Sequence, residues 1–277
     1  MKIDVQEMTP TKAEFVISDT NPTFVNALRR TIVADVPKMG INNVEFHLGP
    51  IMDENNKAYE SISPLFDEIV AHRLSLVPVP TDLDQFNFRS ECSCAGEGCP
   101  SCTIMYSLNK KGPCTVYSGD LEPVGSDQFR IKDDLIPIVK LEDDQALLVY
   151  ATAELGRGRD HAKWQATIGA GYRYAAKIEI DNDKCDAGCS CADICPKDVL
   201  VKEGRKLKAA HPERCNLCDS CVEMCEVDAI KVTGDPTKVV FRFETDGSMA
   251  AKDVLLKGLS ILEEQFEHLR EQVSSLE

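Results

Sequence analysis

Two runs of cysteines within residues 185–225 have spacings that suit metal–sulfur chemistry, and they hold eight of the thirteen cysteines in this 277-residue chain. The second run follows the pattern Cys-x2-Cys-x2-Cys-x3-Cys, and the first run ends in Cys195-Pro196. At this spacing three thiolates reach three corners of one iron–sulfur cubane, and the fourth reaches a neighbouring cubane. The stretch is therefore predicted to bind two [4Fe-4S] clusters.

The ligands are expected to be shared crosswise, because the last cysteine of each run serves the other cluster. The expected sets are Cys215, Cys218, Cys221 and Cys195 for one cluster, and Cys185, Cys189, Cys191 and Cys225 for the other. The first run keeps the usual total span, but its middle ligand is displaced by one residue, and one of the clusters could be [3Fe-4S]. A zinc site or disulfides made from the same cysteines is the alternative, although zinc sites use four ligands and rarely interleave two runs.

A second group of cysteines lies in a stretch rich in Gly and Ser, with the spacing Cys-x1-Cys-x4-Cys-x2-Cys. Four thiolates this close together suit one tetrahedral Zn²⁺ with no open position, which is typical of a structural site rather than a hydrolytic one. Two disulfides, or a loop of free thiols, remain the alternatives. The residues concerned are Cys92, Cys94, Cys99 and Cys102. The remaining cysteine, Cys114, is expected to be a small buried apolar residue.

Other chemistry is poorly represented in the chain. There is no phosphate-binding Gly-x4-Gly-Lys-Ser/Thr loop, no Gly-x-Ser-x-Gly elbow and no Asp-rich run for paired Mg²⁺ ions, so no catalytic residues are expected. The net charge of −15 and the scattered basic residues argue against direct DNA binding. A local basic patch at Lys202, Arg205, Lys206 and Lys208 is interpreted as a solvated hairpin loop.

The N-terminal residues and the hydropathy of the chain predict a cytoplasmic protein with no membrane association. No apolar run approaches the length of a spanning helix, and residues 1–10 lack a secretory signal. Because the cytosol keeps cysteines reduced, so many thiols favour metal binding over disulfides.

Several elements must position these sites. Residues 2–8 and 13–18 are β-prone runs that predict a hairpin. A helix is predicted over about 22–35, with Asn21 as N-cap and Pro22 at its first position. A second helix is predicted to begin at Ser63-Pro64, with an apolar face formed by Leu65, Phe66, Ile69, Val70 and Leu74. Residues 84–150 read as loops and short strands, with the strongest strand over 145–154.

The C-terminal tail has a heptad pattern, with apolar residues repeated at spacings of four and three. A helix of about 25 residues with so narrow a stripe needs a partner helix or a sheet, because helical propensity alone does not hold it. Packing within its own domain is the alternative. The heptad positions are Leu255, Leu259, Leu262, Phe266, Leu269, Val273 and Leu276.

Four segments together make the chain similar to one family, the alpha-like (D-type) subunits of archaeal RNA polymerases. The segments are residues 21–30 (NPTFVNALRR), 71–78 (AHRLSLVP), 161–165 (HAKWQ) and 243–248 (FETDGS). The cysteine loop from Cys92 to Cys102 is similar to the zinc loop of the eukaryotic counterpart. The ferredoxin insertion is found in only some archaeal members of this family.

The resemblance implies an α+β fold in which an alpha-like dimerisation domain carries two insertions, a mixed β domain and a ferredoxin-like two-cluster domain. The implied boundaries are 1–44, 151–180 and 233–277 for the dimerisation domain, 45–150 for the insert domain and 181–232 for the iron–sulfur domain. The resemblance also implies a non-catalytic subunit of DNA-directed RNA polymerase that serves as an assembly platform for transcription.

The resemblance further implies the partners of the chain. The heptad seam would contact subunit L, the small subunits N and P would join the heterodimer, and the pair would recruit the large catalytic subunits. Asn26, Arg29 and Arg30 would face a large subunit, although a solvated polar helix face would look the same. The clusters would be either structural or responsive to redox or iron status. A ferredoxin-type electron carrier or oxidoreductase component is the rival function.

Overall fold

The computed structural model describes residues 1–52, 56–185, 190–204 and 206–276. Its strands are β1 Lys2–Met8, β2 Lys12–Ser18, β3 Pro37–Phe46, β4 Pro50–Met52, β5 Ala58–Glu60, β6 Thr103–Lys111, β7 Cys114–Tyr117, β8 Glu122–Pro123, β9 Pro137–Leu141, β10 Ala146–Arg157, β11 Thr167–Ile180, β12 Leu200–Glu203, β13 Lys206–Ala209 and β14 Ile230–Thr245. Its helices are α1 Pro22–Ala34, α2 Asp67–Ser75, α3 Ser220–Glu223 and α4 Ala251–Ser274. The mixture of helices and sheets is consistent with the predicted α+β class.

The chain divides into two compact units. The first comprises Met1–Glu7, Glu14–Arg29 and Ala170–Arg242, and the second comprises Met8–Ala13, Arg30–Gly169 and Phe243–Glu277. Both units are therefore assembled from separated stretches of sequence. The five domain segments expected from the sequence stay a prediction.

A four-stranded sheet with the order β1-β2-β14-β11 contains the predicted N-terminal hairpin. Strand β2 alternates buried and partly exposed residues, as expected for a strand with one face on a core. On the buried face, the ring of Phe15 stacks on that of Phe241 with centroids 5.2 Å apart. The hairpin prediction is confirmed, and β1 and β11 are the two edge strands of this sheet.

Helix α1 begins and ends close to where the sequence predicts. The Asn21 Oδ1 accepts a hydrogen bond from the backbone N–H of Phe24 at 2.9 Å, which satisfies one of the unpaired donors of the first turn. Val25, Leu28 and Ile32 are buried along one face. The predicted N-cap is confirmed, and of the apolar residues Phe24, Val25, Leu28 and Ile32 all but the half-buried Phe24 are buried.

The second unit contains an antiparallel sheet with the order β3-β10-β6-β8. The long strand β10 pairs along most of its length with both β3 and β6, and a register shift interrupts its pairing with β3 at Thr152/Ala153. Alternate residues of β10 point into a large core that also takes Tyr106 and Leu108 from β6. The predicted strand over 145–154 is thus confirmed and continues to Arg157.

Helix α2 begins later than predicted, at Asp67 instead of Ser63-Pro64. The Ser63 hydroxyl donates to the carbonyl of Leu65 at 2.7 Å, and Phe66 has extended backbone angles, so the segment before Asp67 is not helical. The predicted apolar face is also partly wrong. Val70 and Leu74 are buried in the described chain, whereas Phe66 is 79% exposed.

The apolar stripe of helix α4 is buried in the first half of the helix and exposed in the second half. Ala251, Val254, Gly258 and Leu262 are buried on the face that packs within the second unit. A Cβ atom on Gly258 would lie 2.6 Å from Cγ2 of Ile32, so glycine permits a close approach to α1 there. Packing within the chain therefore holds the first three turns. From residue 263 onward every described residue of the helix is exposed.

The segment 243–248 that closes β14 holds a buried ion pair. The Lys38 ammonium pairs with the Asp246 carboxylate, and the two side chains are only 3% and 9% exposed. The backbone N–H of Ser248 donates to Asp246 Oδ1 at 3.0 Å. Because a buried charge needs both a partner and hydrogen bonds, this network fixes the turn between β14 and α4.

The segment 161–165 packs one aromatic side chain, that of Trp164, against strand β10. Its Trp164 Nε1 donates to the carbonyl of Glu154 at 3.1 Å, and its ring lies so close to Gly156 that a Cβ there would be 2.2 Å from it. His161 caps the short 3₁₀ turn by accepting from the Lys163 N–H at 3.1 Å. Gly156 is thus explained by packing.

Strands β12 and β13 form the predicted hairpin between the two cysteine runs. Lys202 lies 3.4 Å from Asp193, and Lys208 lies 3.5 Å from Glu203, so these two patch residues have acidic neighbours. Arg205 lies outside the described residues. Across the described ranges, none of the helices has the length and apolar character needed to cross a membrane.

Candidate metal centres

The four cysteines of the first loop gather at one point. The Sγ atoms of Cys92, Cys94, Cys99 and Cys102 all lie within 4.8 Å of one another. Sγ of Cys92 is 3.6 Å from Sγ of Cys99, and Sγ of Cys94 is 3.7 Å from Sγ of Cys102. A tetrahedral zinc with Zn–S bonds of about 2.3 Å places its sulfurs about 3.8 Å apart, so the donor set fits this metal.

The same distances bear on the disulfide alternative. An S–S bond is about 2.05 Å long, and the two closest sulfur pairs of the loop are well beyond that length. Cys92 and Cys102 are buried, and Cys94 and Cys99 are half-buried, so the loop surrounds the point that the sulfurs face.

Backbone turns bring the sulfurs together. The N–H of Ala95 donates to the Cys92 carbonyl at 3.0 Å, and the N–H of Cys102 donates to the Cys99 carbonyl at 2.9 Å. Ala95, Gly96 and Gly98 have positive φ, which the glycines adopt without strain. The Gly-rich composition of the loop therefore serves to fold it tightly around a small ligand.

The loop environment favours thiolate at one position. A hydrogen bond from the backbone of Gly98 lowers the pKa of Cys94 to about 6, whereas burial raises the pKa of Cys102. A bound cation would hold all four sulfurs as thiolates, since zinc ligands must be deprotonated, and binding would then release protons.

Arg89 fastens the loop to the adjoining sheet, and the sequence analysis missed it. Its Nε donates to the Gly96 carbonyl at 2.8 Å, its Nη2 donates to the Glu97 carbonyl at 3.2 Å, and its Nη1 pairs with Glu154 on β10 at 3.2 Å. No local sequence pattern predicts such a contact, because two of the partners are backbone carbonyls and the third, Glu154, is distant in sequence.

The second candidate metal centre lies in the first unit. Cys195, Cys215, Cys218 and Cys221 line one mostly enclosed cavity, and its other walls include Ile178, Val199, Leu200 and Val232. These are the four residues expected to bind one cubane, and they come from both cysteine runs. An apolar pocket with four converging thiols suits an iron–sulfur cluster, whose potential depends on exclusion of water.

The thiols of this cavity differ in their surroundings. Burial raises the pKa of Cys221, and the nearby thiols of Cys195 and Cys215 add to the effect. A backbone hydrogen bond from Ser220 lowers the pKa of Cys218, which is exposed at the rim. Cluster ligation by these residues stays a prediction.

The other expected cluster set is described only in part. Cys185, Cys191 and Cys225 are buried and belong to the hydrophobic core of this segment. Cys189, the ligand with the displaced spacing, lies outside the described residues. Cys114, expected to be buried, is half-buried instead, because it begins β7 at the margin of its core and its Sγ donates to the Lys111 carbonyl at 3.3 Å.

An internal repeat relates the two cysteine runs, and its signal was present in the sequence. Cys185, Cys191 and Cys195 each precede their counterparts Cys215, Cys221 and Cys225 by 30 residues. The structure repeats as well, because the N–H of Val199 donates to Sγ of Cys195 at 3.4 Å and the N–H of Ala229 donates to Sγ of Cys225 at 3.2 Å. The intervening residues Asp198 and Asp228 both have positive φ.

The residues expected to bind partners lie on two helices. The Arg29 guanidinium donates from Nη2 to Oδ1 of Asn26 at 3.0 Å, and the neighbouring Arg30 is exposed. The heptad positions on α4, with Leu276 just beyond its end at Ser274, divide into two groups. Leu262 is buried and Leu255 and Leu259 are half-buried, whereas exposure is 62% at Phe266, 53% at Leu269, 57% at Val273 and 83% at Leu276.

Comparisons with known proteins agree with the geometry. Residues 51–182 match a family model described as the RNA polymerase Rpb3/RpoA insert domain, and residues 210–231 match a 4Fe-4S binding domain. The chain is 42% identical to DNA-directed RNA polymerase subunit Rpo3 of Picrophilus torridus, over 98% of this chain and 99% of that protein. The Rpo3 subunit of Thermoplasma volcanium is 39% identical, over 99% of this chain and 100% of that protein.

The chain belongs to the Rpo3 family of DNA-directed RNA polymerase subunits. The Rpo3 subunit of Methanosarcina acetivorans is also similar, at 38% identity over 97% of each chain. Because these relatives match along almost their whole length, the chain is an alpha-like subunit of an enzyme complex. The predicted family is confirmed, and the ferredoxin-type carrier is not favoured.

Membership of the Rpo3 family fits the separate parts of the chain. The insert-domain match includes strands β4 to β10 and the four-cysteine loop, and the 4Fe-4S match includes Cys215, Cys218, Cys221 and Cys225. The iron–sulfur match supports binding of iron and sulfide by the second cysteine run. The family model for that domain does not extend to the first run.

Proposed function

We propose that this Rpo3-family chain is the assembly platform of its polymerase, and that it forms a heterodimer with the small alpha-like subunit L through the C-terminal half of α4. The observation that carries the proposal is the apolar seam of α4 beyond residue 262, where Phe266, Leu269 and Val273 are each more than half exposed. An isolated helix of this length is marginal in water, and exposed heptad residues favour a partner helix.

The remaining partners follow from the family. Subunits N and P would join the heterodimer, and the two large catalytic subunits would bind next, one of them at Asn26, Arg29 and Arg30 on α1. The exposed guanidinium of Arg30 supports this assignment, because arginine is enriched at protein interfaces. The cytoplasmic location and the lack of direct DNA binding expected from the sequence stay predictions.

A matched pair of substitutions tests the heterodimer. Leu269→Glu places a charge on the seam, and His268→Glu places the same charge at the preceding residue, which is exposed and lies off the seam. Each variant would be co-expressed with subunit L and recovered through a tag on L. We expect Leu269→Glu to reduce recovery at least about tenfold, because an uncompensated charge would be buried at the contact, and His268→Glu to match the wild type. Equal recovery of both variants would exclude the seam as the interface.

We also propose which metals the chain binds and which cysteines bind each of them. Cys215, Cys218, Cys221 and Cys195 would bind one [4Fe-4S] cluster. Cys185, Cys189, Cys191 and Cys225 would bind a second cluster, of either the [4Fe-4S] or the [3Fe-4S] type, and the four-cysteine loop would bind one Zn²⁺. The shared cavity supports the first set, the 30-residue repeat supports the second, and the distances between sulfurs support zinc.

The contribution of the clusters to assembly can be measured directly. The wild type and a Cys215→Ser/Cys218→Ser variant would be reconstituted anaerobically, analysed for iron, sulfide and zinc, and used to pull down the large subunits. A structural role predicts weaker recovery whenever the cluster is missing. A role in sensing predicts recovery that also changes when intact clusters are oxidised. Equal recovery in all states would contradict both roles, while the zinc content would be expected to stay at about one per chain.

A further inference from the structure

One arginine of the four-stranded sheet reaches the loop that carries the predicted cluster ligands. Arg173 lies on the edge strand β11, and its Nη1 donates to the carbonyl of Cys215 at 2.9 Å. Its Nη2 donates to the carbonyl of Glu213, also at 2.9 Å. The two carbonyls belong to the middle residue of the short 3₁₀ turn Pro212–Arg214 and to the first cysteine after the turn.

The geometry is specific for arginine. A planar guanidinium presents two parallel N–H groups to two neighbouring oxygens, which a lysine ammonium cannot do with the same rigidity. Across the ranges that the structure describes, Arg173 forms no ion pair with a carboxylate, and the Glu213 side chain is instead near His211 and Arg214. The positive charge of Arg173 is therefore not offset by an adjoining acid.

The contact also orients a peptide group beside the cluster cavity. In a trans peptide the N–H points opposite to the C=O, so fixing the Cys215 carbonyl also fixes the direction of the Asn216 N–H. Asn216 lines the cavity with Cys195, Cys215, Cys218 and Cys221, whereas Arg173 is not among the lining residues. With the carbonyl held by Arg173, the direction of the Asn216 N–H is fixed as well, and an N–H at the cavity wall is a group that could donate to the sulfur atoms of a bound cluster.

We propose that Arg173 is the positioning residue of the cluster held by Cys195, Cys215, Cys218 and Cys221, and that it raises the reduction potential of that cluster. Reduction adds one electron to the cluster, and both a nearby positive charge and N–H···S hydrogen bonds favour the added negative charge. The same contact ties the ligand loop to β11. The inference rests on the proposed iron–sulfur binding and goes beyond it, because it assigns a residue that is not a ligand.

Three variants of the full-length chain separate charge from hydrogen bonding. Arg173→Gln removes the charge and keeps a donor, and Arg173→Lys keeps the charge and loses the two-pronged contact. Lys177→Gln removes a charge from the same strand at a residue whose side chain is 67% exposed and pairs with Glu179. All three are read out after anaerobic reconstitution, by iron and sulfide content and by EPR-monitored titration with dithionite.

We expect Arg173→Gln to shift one midpoint potential to a more negative value, while Arg173→Lys retains most of the wild-type potential. Both variants should release iron to a chelator about tenfold faster than the wild type, equivalent to about 1.4 kcal/mol. That is near the lower end for a hydrogen bond to a charged group. Lys177→Gln should match the wild type in both measurements. A Cys218→Ser variant should lack the EPR signal whose potential shifts, which identifies the cluster.

The outcomes are distinguishable from failure of the proposed function. If the reconstituted wild type contains no iron or sulfide, the iron–sulfur assignment itself is wrong. If the wild type carries clusters but Arg173→Gln has the same potential and the same rate of iron release, Arg173 has no such role. If the midpoint potential shifts by the same amount in Arg173→Gln and in Lys177→Gln, the shift reflects only the net charge of the strand. That result would also overturn the role assigned to Arg173.

Discussion

The two cysteine-rich regions of this chain differ in the hydrophobic core that adjoins each of them. The four-cysteine loop adjoins a core of aliphatic and aromatic residues that includes Tyr106, Leu108 and Ile138 and no cysteine among its described buried members. Among its described residues, the cluster segment has a core of nine buried residues, of which four are cysteines: Cys185, Cys191, Cys215 and Cys225. In one region the predicted metal site is an addition to a hydrophobic core, and in the other the predicted metal ligands are themselves a large part of the core.

This difference assigns different roles to the metals. Domains of about 60 residues bury a smaller share of their surface than larger domains and are marginally stable, and below about 40 residues metals or disulfides are usually needed. The cluster segment has a two-stranded hairpin, one short helix and the core just described, so its stability should depend on its clusters. The insert sheet has its own extensive core, so zinc should hold a loop rather than a domain.

The largest expected effect follows removal of iron. Treating the anaerobically purified protein with oxygen and a chelator should expose the backbone amides of residues 190–204 and 206–232 to hydrogen exchange. We expect exchange there to become at least about 1,000-fold faster, equivalent to about 4 kcal/mol of lost protection. Strands β6 and β10 should keep their protection, as measured by mass spectrometry of peptides from the same sample.

The matched control for iron removal is the same exchange experiment after selective removal of zinc. Zinc removal should leave residues 190–204 and 206–232 protected. The comparison between the two regions would be broken if the cluster segment kept its protection after quantitative loss of iron. Apolar contacts such as those of Val199 and Leu207 would then be sufficient to hold it.

The parts of this structure that the sequence could predict are those with local signals. Asn21-Pro22 caps and opens α1 because both residues act within one helical turn, and the alternation of β2 follows directly from strand geometry. The cysteine spacing predicted which thiols share a cavity, because tight turns constrain where neighbouring ligands can lie.

The features that escaped prediction depend on partners distant in sequence. Helix α2 begins at Asp67 because the preceding segment is held by Ser63, and the burial of the first half of α4 became visible only through the approach of Gly258 to Ile32. Arg89 and Arg173 both donate to backbone carbonyls, and every residue offers a carbonyl, so no residue type marks the site. Hydropathy patterns therefore do not predict such contacts.

A smaller effect is expected when the zinc site is removed. A Cys92→Ser/Cys99→Ser variant should lose about one zinc per chain and destabilise the loop between its cysteines. The expected loss of unfolding free energy is about 3 kcal/mol, the chain entropy of an open loop of this length. Chemical denaturation of the insert sheet, followed by the fluorescence of Trp164, would measure it.

Hydrogen exchange of the same zinc-site variant gives a second test of the difference between the two cysteine-rich regions. The variant should keep the antiparallel pairing of β6 with β10, so exchange protection of residues 103–111 should stay close to that of the wild type. Global unfolding of the insert sheet on loss of zinc would show that the hydrophobic core beneath the loop is insufficient. The two cysteine regions would then be alike, contrary to the difference in their cores.

The smallest effect concerns Arg89, which fastens the zinc loop without binding the metal. Arg89→Met should remove two hydrogen bonds to the loop and the ion pair with Glu154, lowering the unfolding free energy by about 1–2 kcal/mol, since the pair is partly exposed. The control is Arg130→Met, which breaks the exposed pair with Asp127 and should change stability by less than about 0.5 kcal/mol. Because the four sulfurs are gathered by the loop's own turns, Arg89→Met should retain full zinc content. Loss of zinc from this variant, but not from Arg130→Met, would mean that the sheet and not the loop gathers the four sulfurs.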